Sequence, residues 1–159
     1  MDCLNSVFGE RNKDFVNWAE VYCERYFEKL GSIVKIGIDD PGNVKFSKGA
    51  VFGMPKFLLK MPDFLYVNKE DECFLIEVKS VGSESGVLRL KESDLVWYRK
   101  WDSLCGNCLW FFVYDFGLKK AYFFSLKDLE KKLEGAVKGV FPDSCKVFFE
   151  VSRGVLSGD

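Results

Sequence analysis

The sequence predicts one α/β domain built on a mixed β-sheet flanked by helices. Three observations predict it. The chain has 159 residues, a length that suits one domain. Hydrophobic residues make up 48% and charged residues 30%, enough apolar side chain to bury a core. Apolar segments switch between helical and strand periods in the order α-β-β-β-α-β-β-α-β, with no repeat, low-complexity tract or linker.

Residues 11–30 carry Phe15, Trp18, Ala19, Tyr22, Tyr26 and Leu30 at helical spacing, and Gly31 ends the pattern. SIVKIGI (32–38) reads as a short strand. Residues 39–57 are rich in Gly and turn formers and read as a loop. Two strands follow, at about 63–68 and 73–80, joined by Lys69, Glu70, Asp71 and Glu72. VGSESG (81–86) reads as a polar loop and Ser93 to Leu104 as a helix. Residues 108–116 and 119–126 are two apolar strands around a short turn. Ser125 and Asp128 give a capping-box-like start to a third helix ending near Leu133. KVFFEVS (146–152) is the last strand.

Net charge is −1, so no global basic field announces a nucleic acid, though a local basic face remains open. No secretory segment and no apolar run near 18 residues is present, so an intracellular, cytoplasmic protein without a membrane partner is expected. The six cysteines include one CxxC, Cys105 and Cys108, but the chain has no histidine and no second CxxC pair to complete a zinc site. The cysteines are therefore expected mainly as small core residues.

Chemistry concentrates in residues 61–80, MPDFLYVNKEDECFLIEVKS. In the second strand Cys73, Leu75, Glu77 and Lys79 share one face, and Phe74, Ile76 and Val78 the other. A turn centred on Glu70 puts Asp63 opposite Glu77 on the same face; a slip of one residue puts it on the other. Two opposed carboxylates repel unless a cation lies between them. Mg²⁺ suits such a pair, because it takes one or two carboxylates and keeps water or phosphate for the rest. A neighbouring lysine can orient water or stabilise charge on a phosphate. A solvated strand face is the plainer reading of Glu77 and Lys79, but the surrounding strands are heavily apolar.

Pro62-Asp63 followed by Glu77-Val78-Lys79 resembles the motif of the PD-(D/E)XK nuclease superfamily. The ordered set of Glu20 on the first helix, the two motif pieces, Ser80, a helix and an apolar strand is similar to archaeal Holliday junction resolvases over about residues 15–125. The resemblance implies a restriction endonuclease-like core, αβββαβ, filling residues 1–159 as a single nuclease domain. It implies Asp63, Glu77 and the Val78 carbonyl as ligands of Mg²⁺ or Mn²⁺. Lys79 would position or activate the attacking water, and Glu20 would assist. Many relatives carry Gln on the second helix where this sequence has Asp94, which also reads as a cap with Ser93.

The function implied is metal-dependent endonucleolytic cleavage of DNA, with branched DNA such as Holliday junctions first. Restriction- or repair-like cleavage of duplex or single-stranded DNA, or non-catalytic nucleic-acid binding on the same fold, are the alternatives. Lys45, Lys48, Lys56 and Lys60 before the site, and Arg89 and Lys91 after it, are candidate DNA contacts. A homodimer is expected, with the segments Tyr122, Phe123, Phe124 and Val147, Phe148, Phe149, Val151 as candidate interface. Pro142-Asp143 and Glu150-Val151-Ser152-Arg153 mimic the motif without its lysine and read as a turn before an edge strand.

Overall fold

The computed structural model describes residues 17–37 and 56–158. Phe15, Lys45 and Lys48 lie outside the described residues. Five strands form the larger sheet in the order β1-β2-β3-β5-β6: β1 (Gly31–Lys35), β2 (Phe64–Asn68), β3 (Cys73–Val81), β5 (Leu109–Asp115) and β6 (Lys120–Ser125). All neighbours are antiparallel except β3 and β5, which run parallel. A three-stranded antiparallel sheet, β4-β8-β7, is added by β4 (Val87–Lys91), β7 (Val137–Val140) and β8 (Val147–Ser152). The helices are α1 (Trp18–Glu28), α2 (Lys56–Leu59), α3 (Glu92–Leu104), α4 (Leu126–Leu133) and α5 (Arg153–Ser157).

The central strands are apolar on both faces because both faces are covered. On one side Ile76, Val78 and Phe112 join Phe64 and Tyr66 beneath Ala19, Cys23 and Phe27 of α1. Phe27 meets Tyr66, Phe123 and Phe112 with ring centroids at 4.6, 5.1 and 6.1 Å. Truncating such a buried phenylalanine costs about 3–5 kcal/mol. On the other side Leu75, Phe111 and Val113 pack with Leu95, Tyr98 and Trp101 of α3, Leu129 of α4, and Leu88, Leu90 and Val151 of the small sheet.

Several expectations shift. The buried stripe of α1 is Ala19, Cys23 and Phe27; Trp18, Tyr26 and Leu30 are 49%, 54% and 44% exposed. The helix ends before Gly31, as the pattern indicates, and Gly31 starts β1, where an added Cβ would lie 2.2 Å from the Val67 carbonyl oxygen. Lys56 begins a helix rather than lying in a loop, and Val87–Lys91 forms a strand. β8 is not an edge: β4 and β7 pair with it on both sides. Of the described cysteines Cys23 alone is buried; Cys73 and Cys145 are exposed, and Cys105 and Cys108 form a disulfide where α3 turns into β5. The α4 start is as expected, with the Ser125 side chain accepting from the Asp128 N–H.

Arg153 joins the two sheets. It follows β8 and reaches Asp115 at the end of β5, with Nε to Oδ2 at 2.5 Å and Nη2 to Oδ1 at 2.9 Å. Asp115 is fully buried and also accepts from the Gly117 and Leu118 N–H groups. The guanidinium occupies the space a side chain would need at Gly117, where an added Cβ would lie 2.0 Å from Nη2.

Candidate functional site

Asn68 sets the hairpin. Its Oδ1 accepts from the Glu70 N–H at 3.0 Å and the Glu72 N–H at 2.9 Å, and Asp71 takes the left-handed conformation at φ 61°. That turn pairs Phe64 with Ile76, so one further step places Asp63 opposite Glu77. Pro62 is buried, and the Asp63 carbonyl accepts from the Ile36 and Gly37 N–H groups at 2.9 and 3.0 Å, tying the strand end down. Gly37 must lack a side chain here, since a Cβ would come within 2.8 Å of the Asp63 Cα. Asp63 Oδ2 accepts from the Val78 N–H at 2.8 Å.

Glu77 and Lys79 stand on the β3 face that looks toward α3, with Lys79 Nζ 3.8 Å from Glu77 Oε1. Lys79 Nζ is 5.8 Å from the centroid of the Tyr98 ring on α3. Burial, and then the like charge of Asp63, holds the Glu77 carboxyl well above the usual carboxylate range. Lys79 opposes this; a hydrogen bond with Asp63 and the charge of Asp94 reinforce it. Burial pulls the Lys79 ammonium down, but Tyr98 and Glu77 outweigh it, so its pKa is raised and it stays charged at neutral pH. Burial likewise pushes the Tyr98 phenol up and keeps it neutral.

Asp94 neither caps α3 nor pairs with Ser93: the helix begins after Lys91 without a side-chain cap. Asp94 instead receives Lys60 Nζ at 3.2 Å, so Lys60 is drawn to the rim of the site. α2 is fastened along α3 by this ion pair and by Phe57 stacked on Trp101 at 4.2 Å. The sequence carried no signal for Tyr98 as part of this cluster beyond its helical spacing of four from Asp94. Glu20 is half-buried and forms an ion pair with Lys35 at 3.3 Å. Lys35 pairs with Phe64, the residue after Asp63, so its ion pair brings Glu20 to the Asp63 end of the sheet. Arg89 lies on the small sheet, paired with Glu150 at 3.2 Å, and Lys91 is exposed at the start of α3.

No group of three or more His, Cys, Asp or Glu side chains converges as a metal cage among the described residues. A cation here would have two side-chain carboxylates, Asp63 and Glu77, and would take its remaining ligands from backbone, water and substrate. Mg²⁺ and Mn²⁺ fit that donor set, and the elevated Glu77 carboxyl is the electrostatic deficit a cation would relieve.

No family model and no curated protein sequence matches the chain. Among solved structures it is similar to Hjc from Archaeoglobus fulgidus, a Holliday junction resolvase from an archaeal hyperthermophile. The TM-score is 0.50 at 14% identity, over 85% of this chain and 88% of Hjc. D212, a nuclease from a fusselovirus, aligns at TM-score 0.43 and 14% identity, over 96% of this chain and 78% of its own. The chain shares the fold of Hjc, a five-stranded mixed sheet flanked by helices. No helix among the described residues is long and apolar enough to cross a membrane.

Proposed function

We propose that this chain is a divalent-metal-dependent nuclease that hydrolyses phosphodiester bonds in DNA. The observation that carries the reading is the register that sets Asp63 against Glu77, with Lys79 beside them on the same strand face. Asp63, Glu77 and the Val78 carbonyl would hold Mg²⁺ or Mn²⁺. Such an ion acidifies a bound water and neutralises charge on the phosphoryl oxygens. Lys79, held charged between Glu77 and Tyr98, would orient the attacking water or stabilise charge on the phosphate. Glu20 is proposed as an accessory acid at the same sheet end. Lys56 on α2 and Lys60 just after it would meet the DNA backbone first.

Branched DNA is the proposed substrate, four-way junctions foremost, supported by the fold shared with a Holliday junction resolvase. Cutting a junction symmetrically takes two sites, so we propose a homodimer. The interface expected from sequence narrows: Tyr122, Phe124, Phe148 and Val151 are buried and Phe149 is half-buried, leaving Phe123 at 41% and Val147 at 37% exposure. With β8 enclosed, a β6 edge contact is the better candidate for strand pairing across a two-fold axis.

The test is a panel of linear duplex, single strand, flap and four-way junction, each with and without Mg²⁺. Mg²⁺-dependent cleavage, fastest on the junction, is expected. Absence of cleavage on all four with Mg²⁺ or Mn²⁺ overturns the nuclease reading. Light scattering should give roughly twice 18.3 kDa. A monomer that stays monomeric on junction DNA removes the resolvase part.

A further inference from the structure

A groove of about 640 Å³ runs between the exposed flank of α3 and the small sheet, and none of Asp63, Glu77 or Lys79 lines it. Four cations, Lys56, Arg99, Lys138 and Lys146, line it against one carboxylate, Glu92. In a chain of net charge −1 this is a local concentration of positive charge, and local concentration is what a polyanion reads.

Two of the four cations, Lys138 and Lys56, rest on aromatic rings. Lys138 Nζ lies 5.1 Å from the centroid of Phe149, which lines the groove. Trp97 is flanked by Lys100 at 4.7 Å and Lys56 at 5.8 Å. Such cation–π contacts hold the long side chains in place and leave their N–H donors free for phosphate. Two groove cations have carboxylate partners: Arg99 with Glu130, and Lys138 with Glu92 at 3.4 Å. Arg99 and Lys138 are 58% and 59% exposed in these pairs, so each pair contributes little and is readily exchanged for a phosphate. Val96, 50% exposed, and Phe149 give apolar surface on which deoxyribose can rest.

Lys56 and Lys60 link the groove to the candidate site along the chain. Lys56 lines the groove at the start of α2, and Lys60, one helical turn on, is bound to Asp94 beside Glu77. A basic track therefore leads from the carboxylates, over α2, to the small sheet.

We propose that this groove binds the sugar–phosphate backbone of DNA beyond the cleaved position, anchoring the duplex segment that leads out of the site. The identity of the polyanion rests on the DNA-cleaving reading. The contacts are to the backbone, so the groove confers affinity and orientation without sequence preference.

The test is run in EDTA, where no cleavage occurs, by fluorescence anisotropy with a labelled 20-base-pair duplex over a range of salt. K138A/K146A is compared with K69A/K127A, which removes the same charge from exposed positions elsewhere. Thermal melting checks that both fold. K138A/K146A should weaken binding about tenfold or more at 0.1 M salt and lower the slope of log affinity against log salt by about two. K69A/K127A should leave the slope unchanged. Equal behaviour of the two variants, or no duplex binding by the wild type, overturns the proposal. Equal behaviour leaves the cleavage reading standing, because that reading is decided by Asp63 and Glu77 in Mg²⁺.

Discussion

Asp63 and Glu77 face each other across the β2–β3 hairpin, and each is tied to its neighbour on β3. Asp63 accepts the Val78 N–H at 2.8 Å, and Glu77 lies 3.8 Å from Lys79. Two acids and one lysine leave the cluster a positive charge short. The hairpin register and the Ile36 and Gly37 N–H groups on its carbonyl fix Asp63 in that position.

Stability without metal should therefore depend on pH in a set direction. The Glu77 carboxyl is raised in the folded state, by burial first and Asp63 second. A raised acid contributes stability below its unfolded value and loses it as pH rises through its folded value. From the ordinary glutamate range upward, Glu77 thus works against the fold. Glu77→Gln keeps a carbonyl oxygen toward Lys79 and removes the charge. In EDTA at pH 8 it should melt about 3 °C or more above wild type, and near wild type at pH 5. A lower melting temperature at pH 8 contradicts the like-charge account.

Catalytic roles should separate by metal binding. Asp63→Ala and Glu77→Ala should lose both calorimetric Mg²⁺ binding and cleavage. Lys79→Ala should bind the metal and still lose cleavage by about a hundredfold or more, the size expected for one charge-stabilising group. Ca²⁺ should bind without supporting cleavage well. Near-normal cleavage by Asp63→Ala and Glu77→Ala would remove the site.

Much of this site was legible in the sequence because strand period and turn chemistry are local. The two-residue alternation put Glu77 and Lys79 on one face, and only the register stayed open. Asn68 decides that register through two N–H groups, which an N-x-E pattern does not announce. β4 was not read from the sequence, although Val87, Leu88, Arg89, Leu90 and Lys91 alternate, with Leu88 and Leu90 inward. The small sheet itself was not readable: β7 is a short, mostly exposed edge, and its pairing with β8 is a tertiary matter. On α1 the aromatic stripe misled because exposed Trp18 and Tyr26 look more apolar than the small Ala19 and Cys23 that fit against the sheet.

Tyr98 should act through Lys79 without touching DNA. Its ring packs edge-on against Phe111 at 5.1 Å, so Tyr98→Phe keeps the core intact. Losing the hydroxyl removes the polar group that helps hold the neighbouring Lys79 ammonium charged. Cleavage by Tyr98→Phe should slow about tenfold, with KM and melting temperature little changed. An unchanged rate would show that Glu77 alone places the lysine.

Arg153 looked like part of an incomplete second motif, yet it locks the small sheet to the large one. Its hydrogen bonds hold the Asp115 carboxyl below the usual carboxylate range, with the Leu118 and Gly117 N–H groups adding to the effect. A depressed acid contributes stability above its unfolded value and loses it as pH falls through its folded value. Asp115 and Glu77 thus pull stability in opposite directions with pH, and Asp115 governs the acid limb. Asp115→Asn leaves the guanidinium without its carboxylate in a 30% exposed position and should lower the melting temperature at pH 7 by about 5 °C or more. The loss should shrink as pH falls below about 4, where wild type begins to protonate the same group. Gly117→Ala tests the lock from the other side, because its methyl would displace Nη2 and should destabilise in the same direction. If both variants melt like wild type across that pH range, Arg153 is a surface residue and the two sheets are held by Leu88, Leu90 and Val151 alone.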